Sequence, residues 1–403
     1  MLALSVYSDK TMTRTLGQRT YYPMVITITN MPPELTGKVD NKIIIGYIPE
    51  VKQPSGYSNR LFKNGKRALF GACWQQILHD IQSIEHDHTH PIEVKLLDSK
   101  QLLAVPVVIA AFGDYPEQQD VCGVSSGAKA STPCRVCLVK QSQLHKFYRE
   151  SEQCNDLCQH REISGVLEQL HRINSRTRTQ QQRTQLLREA GSLTGHVPPL
   201  MLYTGFNTCA GVFAATPADK LHHVKGGISK TLLTHILQAL KGITGNSYNA
   251  ALRLWTERLQ ALPVFDDPVT EKRFRKFSGD ILTAKGLTSD TQLALIFSMK
   301  WGIGEVPDVF DAALHKEILL LLLKFERFYI FMSEKQSFTV ADLDELEALL
   351  SSFVRQWTHT LGAKSRFKYN MQAPKVHAVS HLRMWIQRYG AWLNWCTGKM
   401  NFE

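Results

Sequence analysis

LLAVPVVIAAFGDYPEQQDVCGVSSGAKASTPCRVC, residues 102 to 137, decides how this chain is read. Its first part is an apolar run rich in valine and isoleucine, the pattern of a buried strand. That run delivers one carboxylate, Asp114, to its C-terminal end. A Cys-x-x-Cys pair, Cys134 and Cys137, follows about twenty residues on. The chain opens in the same way: LALSVYSDKT, residues 2 to 11, places Asp9 just past a short apolar run. Two carboxylates at the ends of two buried strands can converge on divalent metal, and rigid strand ends aim them better than loops do. Taken singly, an aspartate after a strand is more often a turn or cap residue. Two such aspartates on separate apolar runs are therefore more informative than either alone.

Working outward, YYPMVITITN (21 to 30) and NKIIIGYIPE (41 to 50) are further β-branched runs bounded by proline and glycine. Three strands in close succession suggest an antiparallel meander. RALFGACWQQILHDIQSI, 67 to 84, spaces its apolar residues as a helix does, and the strand ending at Asp114 follows. The order βββ–α–β is that of the first half of a ribonuclease-H-like core. The stretch from 145 to 196, which contains NSRTRTQQQRTQLLREAG, is polar and basic, and reads as a solvated helix or an exposed loop. Beyond it come helices separated by Gly, Pro and Asn clusters, among them SKTLLTHILQALKG, DAALHKEILLLLLKFERFYIFM and ADLDELEALLSSFVRQWTHTL.

The expected fold is α+β, a ribonuclease-H-like mixed sheet core interrupted by a large all-helical insertion. The expected boundaries are 1–140 for the first half of the core, 141–218 for a polar basic connector, 219–370 for the helical insertion and 371–403 for the return segment.

A net charge of +11 favours polyanionic partners through phosphate neutralisation, although generic basic enzymes share such a balance. Eight cysteines in 403 residues are too sparse for a disulfide framework. Four of them, Cys134, Cys137, Cys154 and Cys158, fall within 25 residues, which reads more like metal than oxidation. No secretory leader is evident, and the longest apolar run, 318 to 323, is far too short for a bilayer. No membrane association is expected.

Cys134 and Cys137 make half of a tetrahedral zinc site, with Cys154, Cys158 and His160 as nearby candidates for the rest. Two buried free cysteines are the plainer alternative. Asp219 and His222 form an Asp-x-x-His pair, in which Asp219 is equally a natural helix cap. His377 and His381 lie one helical turn apart and could ligate a metal, but no glutamate lies between them as in a zincin, and they read as packing or DNA contact. The HDHTH run, 86 to 90, reads as a solvated loop. A third carboxylate is expected on the return to the sheet, and spacing alone does not choose Glu403 over Glu326 or Glu345.

Read in order, these blocks resemble the transposases of CACTA-like elements, particularly the Plavaka type. YSDKT with YYPMVITITNMP is similar to the family's first-aspartate block, and IIIGYIPEVK to its next strand. AFGDYPEQQ with CGVSSGAKASTPCRVC resembles the second-aspartate block and its Cys-x-x-Cys motif. ADKLHHVKGGISK, KVHAVSHLRMWIQRYGAWLNW and the closing NFE resemble the remaining three. The resemblance implies a DDE/D transposase with Asp9, Asp114 and Glu403 as a catalytic triad binding magnesium or manganese. Asp219 and His222 would lie beside it, and zinc on Cys134 and Cys137 is a further expectation. DNA, in the form of transposon ends, would be the partner of a nuclear homo-oligomer.

Only eight residues precede Asp9, and the chain stops at Glu403. A chain shortened at both ends is therefore the expectation. Two other readings follow. One is a domesticated, non-catalytic DNA- or chromatin-binding derivative; the other is a zinc-stabilised helical scaffold without DNA affinity.

Overall fold

The computed structural model describes residues 1–8, 11–12, 20–32, 35, 38–86, 91–95, 100–125, 130–144, 159–174, 179–191, 193–206, 209–244, 253, 257, 289–304, 312–362 and 374–391. They fall into two compact units. The first takes in the described residues up to 141 together with 159–219, and the second takes in 142–144 and 220–391. The architecture mixes helices with a mixed sheet, consistent with the expected α+β class.

The first unit is built on a four-stranded sheet of order β5-β4-β1-β8, from β1 (Leu2–Ser8), β4 (Pro23–Ile28), β5 (Lys42–Tyr47) and β8 (Pro106–Phe112). Two short antiparallel ribbons accompany it: β2 (Thr11–Met12) with β3 (Thr20–Tyr21), and β6 (Ile92–Lys95) with β7 (Gln101–Ala104). β1 runs antiparallel to β4, with Ser8 opposite Met24, and β4 runs antiparallel to β5. β8 instead lies parallel to β1, with Leu2 opposite Pro106 and Tyr7 opposite Phe112. A parallel pair needs a long crossover, and the chain between β5 and β8 supplies it with helix α1 (Asn59–His86) and the β6–β7 ribbon. β1 sits between two neighbours and is buried along nearly its whole length, on both faces rather than in alternation, with Ser5 and Ser8 among its buried residues.

α1 turns Phe70, Trp74, Ile77, Leu78 and Ile81 to the sheet, on the i, i+4, i+7, i+8, i+11 stripe of a one-sided helix. It begins eight residues before the periodic segment from Arg67. The extra turns, NRLFKNGK, are mostly exposed and so carry little apolar periodicity.

Among the described residues no further strand follows β8 in the sheet. The Tyr203 hydroxyl accepts from Val108 N at 2.8 Å, and Ala111 N donates to the Ala215 carbonyl at 2.8 Å. Both come from the segment 199–219, whose Leu200, Met201, Tyr203, Phe206, Val212, Phe213 and Ala215 join the core. Within the polar stretch before it lie two helices, α3 (Ile163–Asn174) and α4 (Gln180–Glu189). α3 buries Val166, Leu170 and Ile173 at helical spacing. α4 buries none of its residues and is opened by a Thr179–Gln182 capping box.

The named elements of the second unit are all helical. A π-helix (Lys220–Ser229) leads into α5 (Lys230–Thr244), followed by α6 (Ser289–Gly304), α7 (Ala312–Glu334), α8 (Val340–Leu361), α9 (Pro374–Ala378) and α10 (Leu382–Tyr389). α7 and α8 form an antiparallel pair, their turn closed by a Thr339–Asp342 capping box. Phe325, Phe328, Phe353 and Trp357 fill the space between them, with Phe328 and Phe353 stacked at 6.2 Å. Arg383 of α10 bridges Asp344 and Glu347 of α8. Among the described residues no helix is long and apolar enough to cross a membrane.

Trp357 Nε1 donates to His235 Nδ1 at 3.2 Å inside this bundle. Burial lowers the His235 pKa from 6.5 to about 4, so the folded unit holds the ring neutral. Between those values the unfolded chain binds the extra proton, and stability falls as the pH drops through that window. The loss reaches about 3 kcal/mol at most. His235→Gln keeps an acceptor for the indole, and thermal melts at acid and neutral pH should show a flatter dependence than wild type.

Candidate active site and metal ligands

The parallel pairing of β1 with β8 brings two chain segments to the same end of the sheet. Phe112 lies opposite Tyr7, and the next residues are close enough that a Cβ on Gly113 would lie 3.1 Å from the Ser8 carbonyl oxygen. Asp114 is then the N-cap of helix α2 (Tyr115–Val121), in extended backbone, with its Oδ1 accepting from Glu117 N at 2.8 Å. Pro116 at the second helical position fixes the first turn without losing a needed donor. The Asp114 side chain is half-buried, and among the described residues its second oxygen accepts no hydrogen bond. A fixed carboxylate with one oxygen engaged and one open at a strand end is a donor that suits a hard divalent cation.

Asp9, the residue after Ser8, lies outside the described residues, as does Glu403. The competing third carboxylates are placed on helices: Glu326 in α7, and Glu345 in α8 facing Arg327 at 3.8 Å.

Asp219 is fully buried at the end of a segment that α2 and the cysteine loop grip together. Gln118 Nε2 donates to the Pro217 carbonyl at 2.7 Å. Arg135 donates through Nε and Nη2 to the Thr216 carbonyl at 3.1 and 2.9 Å. The element capped by Asp114 thus holds the backbone two residues before Asp219. The helix expected to begin after Asp219 is a π-helix in its first ten residues, where Gly226 and Gly227 ease the backbone's departure from α geometry. The His222 side chain lies outside the described residues.

Cys134 and Cys137 are buried, not joined in a disulfide, and place their sulfurs within 4.8 Å of each other. Val136 N donates to Cys134 Sγ at 3.3 Å, so the turn already solvates one sulfur as a metal thiolate needs. This turn is bridged to residues 159–161: Leu138 N donates to Gln159 O, Arg161 N donates to Val136 O, and Cys137 faces His160 in an isolated bridge. His160 is exposed, and Cys154 and Cys158 lie outside the described residues.

Two buried guanidinium groups brace the cysteine loop. Arg161 donates to the carbonyls of Cys134, Thr132 and Gly191 at 2.9, 2.9 and 2.8 Å. Gly191 has a φ of 91° and leaves the room this needs; a Cβ there would come within 2.5 Å of Arg161 Nη1. Arg135 also lies 5.5 Å over the Tyr115 ring. Burial lowers both arginine pKa values, and the neighbouring thiols offset part of the effect. A thiolate pair on a cation such as zinc fits this positive surrounding. Cys122 is different: burial raises its thiol to about 11, which marks it as an inert core residue.

His377 and His381, in the second unit, are buried with ring centroids 5.2 Å apart. His381 packs edge-on against Trp385. Their burial agrees with the packing reading, and they offer two imidazole nitrogens from one helical turn.

The sequence did not single out Glu117, Arg135 or Arg161. Each resembles a surface charge until the core that closes over it is known.

No curated protein matches the chain. The family model described as Plavaka transposase matches residues 1–236, which takes in β1, β8, Asp114, the cysteine pair and Asp219. Since that match covers more than half of its 403 residues, the chain belongs to the Plavaka transposase family.

Proposed function

We propose that this chain is the catalytic core of a DDE/D transposase, cutting phosphodiesters and joining strands on DNA with a divalent metal. Family membership implies DNA as the partner and dependence on a divalent metal. The observation that carries the catalytic reading is the parallel β1–β8 pair, with Asp114 fixed two residues past the end of β8 and the end of β1, Ser8, beside it. A sheet of order β5-β4-β1-β8, with only its last pair parallel, also supports a ribonuclease-H-like core.

In this reading Asp9, Asp114 and Glu403 hold magnesium or manganese, which when bound activates water or a DNA 3′-hydroxyl for attack on the phosphodiester. Asp114 contributes its open oxygen, while its other oxygen stays on Glu117 N and fixes the carboxylate's aim. Asp219 and His222 serve in this reading as auxiliary residues of the reaction. The net charge of +11 draws the DNA backbone in, with a salt dependence that follows the number of phosphates neutralised. The helical unit positions transposon ends in a nuclear homo-oligomer.

The test is nicking of supercoiled plasmid with magnesium or manganese against a chelator. Metal-dependent nicking that Asp114→Asn removes supports the enzyme. Salt-sensitive DNA binding without nicking, unchanged or strengthened by Asp114→Asn, would replace it with a domesticated DNA-binding derivative.

Cys134 and Cys137 serve in this proposal as ligands of a structural zinc. Elemental analysis is expected to find about one zinc per chain, and Cys134→Ala with Cys137→Ala should reduce it to near none.

A further inference from the structure

Glu117 is in an unusual position for a glutamate at the third residue of a helix. Such a residue commonly turns back to bond its own N-cap backbone. Here the backbone N of Glu117 is held by Asp114 Oδ1 at 2.8 Å, but its carboxylate reaches the neighbouring strand. Glu117 Oε1 accepts from the hydroxyl of Ser8, the last residue of β1 and the one before Asp9. Both side chains are buried, Ser8 completely and Glu117 to within 7%. Burying a carboxylate costs free energy, and a merely structural contact at this place is met more cheaply by apolar packing. Gly113 completes the arrangement: a Cβ there would lie 2.7 Å from Glu117 Cγ and 3.1 Å from Ser8 O. Three groups from two parallel strand ends are thus packed as closely as the backbone permits.

Resting on the transposase reading above, we infer that Glu117 is a positioning residue that ties the Asp9-bearing end of β1 to the Asp114-bearing start of α2. It holds Ser8, the residue before Asp9, against the helix that Asp114 caps. It does so through an acceptor oxygen to Ser8 and a donor N–H to Asp114, neither of which depends on the carboxylate's charge. This distinguishes it from a fourth metal ligand, for which the charge is essential.

The test is manganese binding to the full chain, followed by the electron paramagnetic resonance signal of free Mn²⁺, with thermal melts run alongside. Glu117→Ala is expected to weaken binding by about ten- to a hundredfold, as loss of a group that orients metal ligands does. Glu117→Gln keeps an oxygen acceptor for Ser8 and is expected to stay within about threefold of wild type. Ser8→Ala removes the same bond from the other side, and should weaken binding in the direction of Glu117→Ala without touching any carboxylate. Gly113→Ala should do likewise by pushing Glu117 away. Equal losses in Glu117→Gln and Glu117→Ala would make the residue a ligand and overturn the inference. So would unchanged binding in Glu117→Ala. A wild-type chain that binds no manganese removes the metal-centre reading itself, and the inference with it.

Discussion

Asp114→Asn is expected to lower metal-dependent plasmid nicking by on the order of a thousandfold while leaving the fold intact. The two effects separate because Asp114 has two jobs. As an N-cap, its Oδ1 accepts from Glu117 N, and asparagine caps a helix about as well as aspartate. As a metal ligand, its second oxygen must carry negative charge, which the amide lacks. Loss of about 4 kcal/mol of transition-state stabilisation, typical of a crippled metal centre, corresponds to the thousandfold figure. Asp114→Ala removes both jobs and should cost about 1 kcal/mol of stability in addition. Nicking rates and melting curves of the three proteins check this. An asparagine variant that melts like wild type and nicks like wild type would remove Asp114 from the active site.

Arg161→Met is the second large effect, this time on stability. Methionine fills much of the volume but leaves the carbonyls of Cys134, Thr132 and Gly191 without their donor. Each acceptor that loses its buried donor costs about 1–3 kcal/mol, and since neighbours share the loss the expected net for the first unit is about 3–5 kcal/mol, below the simple sum. Replacing a buried ion pair by apolar residues can be neutral when both partners go; here the acceptors are backbone and stay. The cysteine turn should loosen as well. A melting curve and a thiol titration, in which Cys134 and Cys137 become fast-reacting, check the two parts.

The strands of the sheet are legible in the sequence because each is a compact β-branched run, and the parallel β8 is legible because its run is apolar on both faces. Helix α1 is legible from Arg67 onward, just before its stripe meets the sheet at Phe70, and not earlier, where it faces water. α3 is hidden in a polar stretch because only Val166, Leu170 and Ile173 mark its buried side. Asp114, the Cys134–Cys137 pair and Asp219 stand out as candidates by residue type and neighbours. What holds them does not. Gln118 to Pro217, Arg135 to Thr216 and Tyr203 to Val108 join residues roughly 80 to 100 positions apart. Such bonds are set by the closed core and leave no local pattern. Glu117 misleads for the opposite reason, since D-Y-P-E is a complete local cap pattern and hides a bond to another strand.

The covering of β8 by the Tyr203 hydroxyl and the Ala215 carbonyl bears on how this protein behaves in a test tube. A strand with a row of unused amides is where sheets of neighbouring molecules zip together into aggregates. β8, which leads to Asp114, is shielded from that fate by two bonds that no added chain can displace without opening the core. The opposite margin is less guarded: β5 ends the sheet there with Ile43 and Ile44 about half exposed. Poor solubility on overexpression should therefore trace to β5, and a lysine in place of Ile43 should relieve it while the strand ends at Ser8 and Asp114 stay as they are.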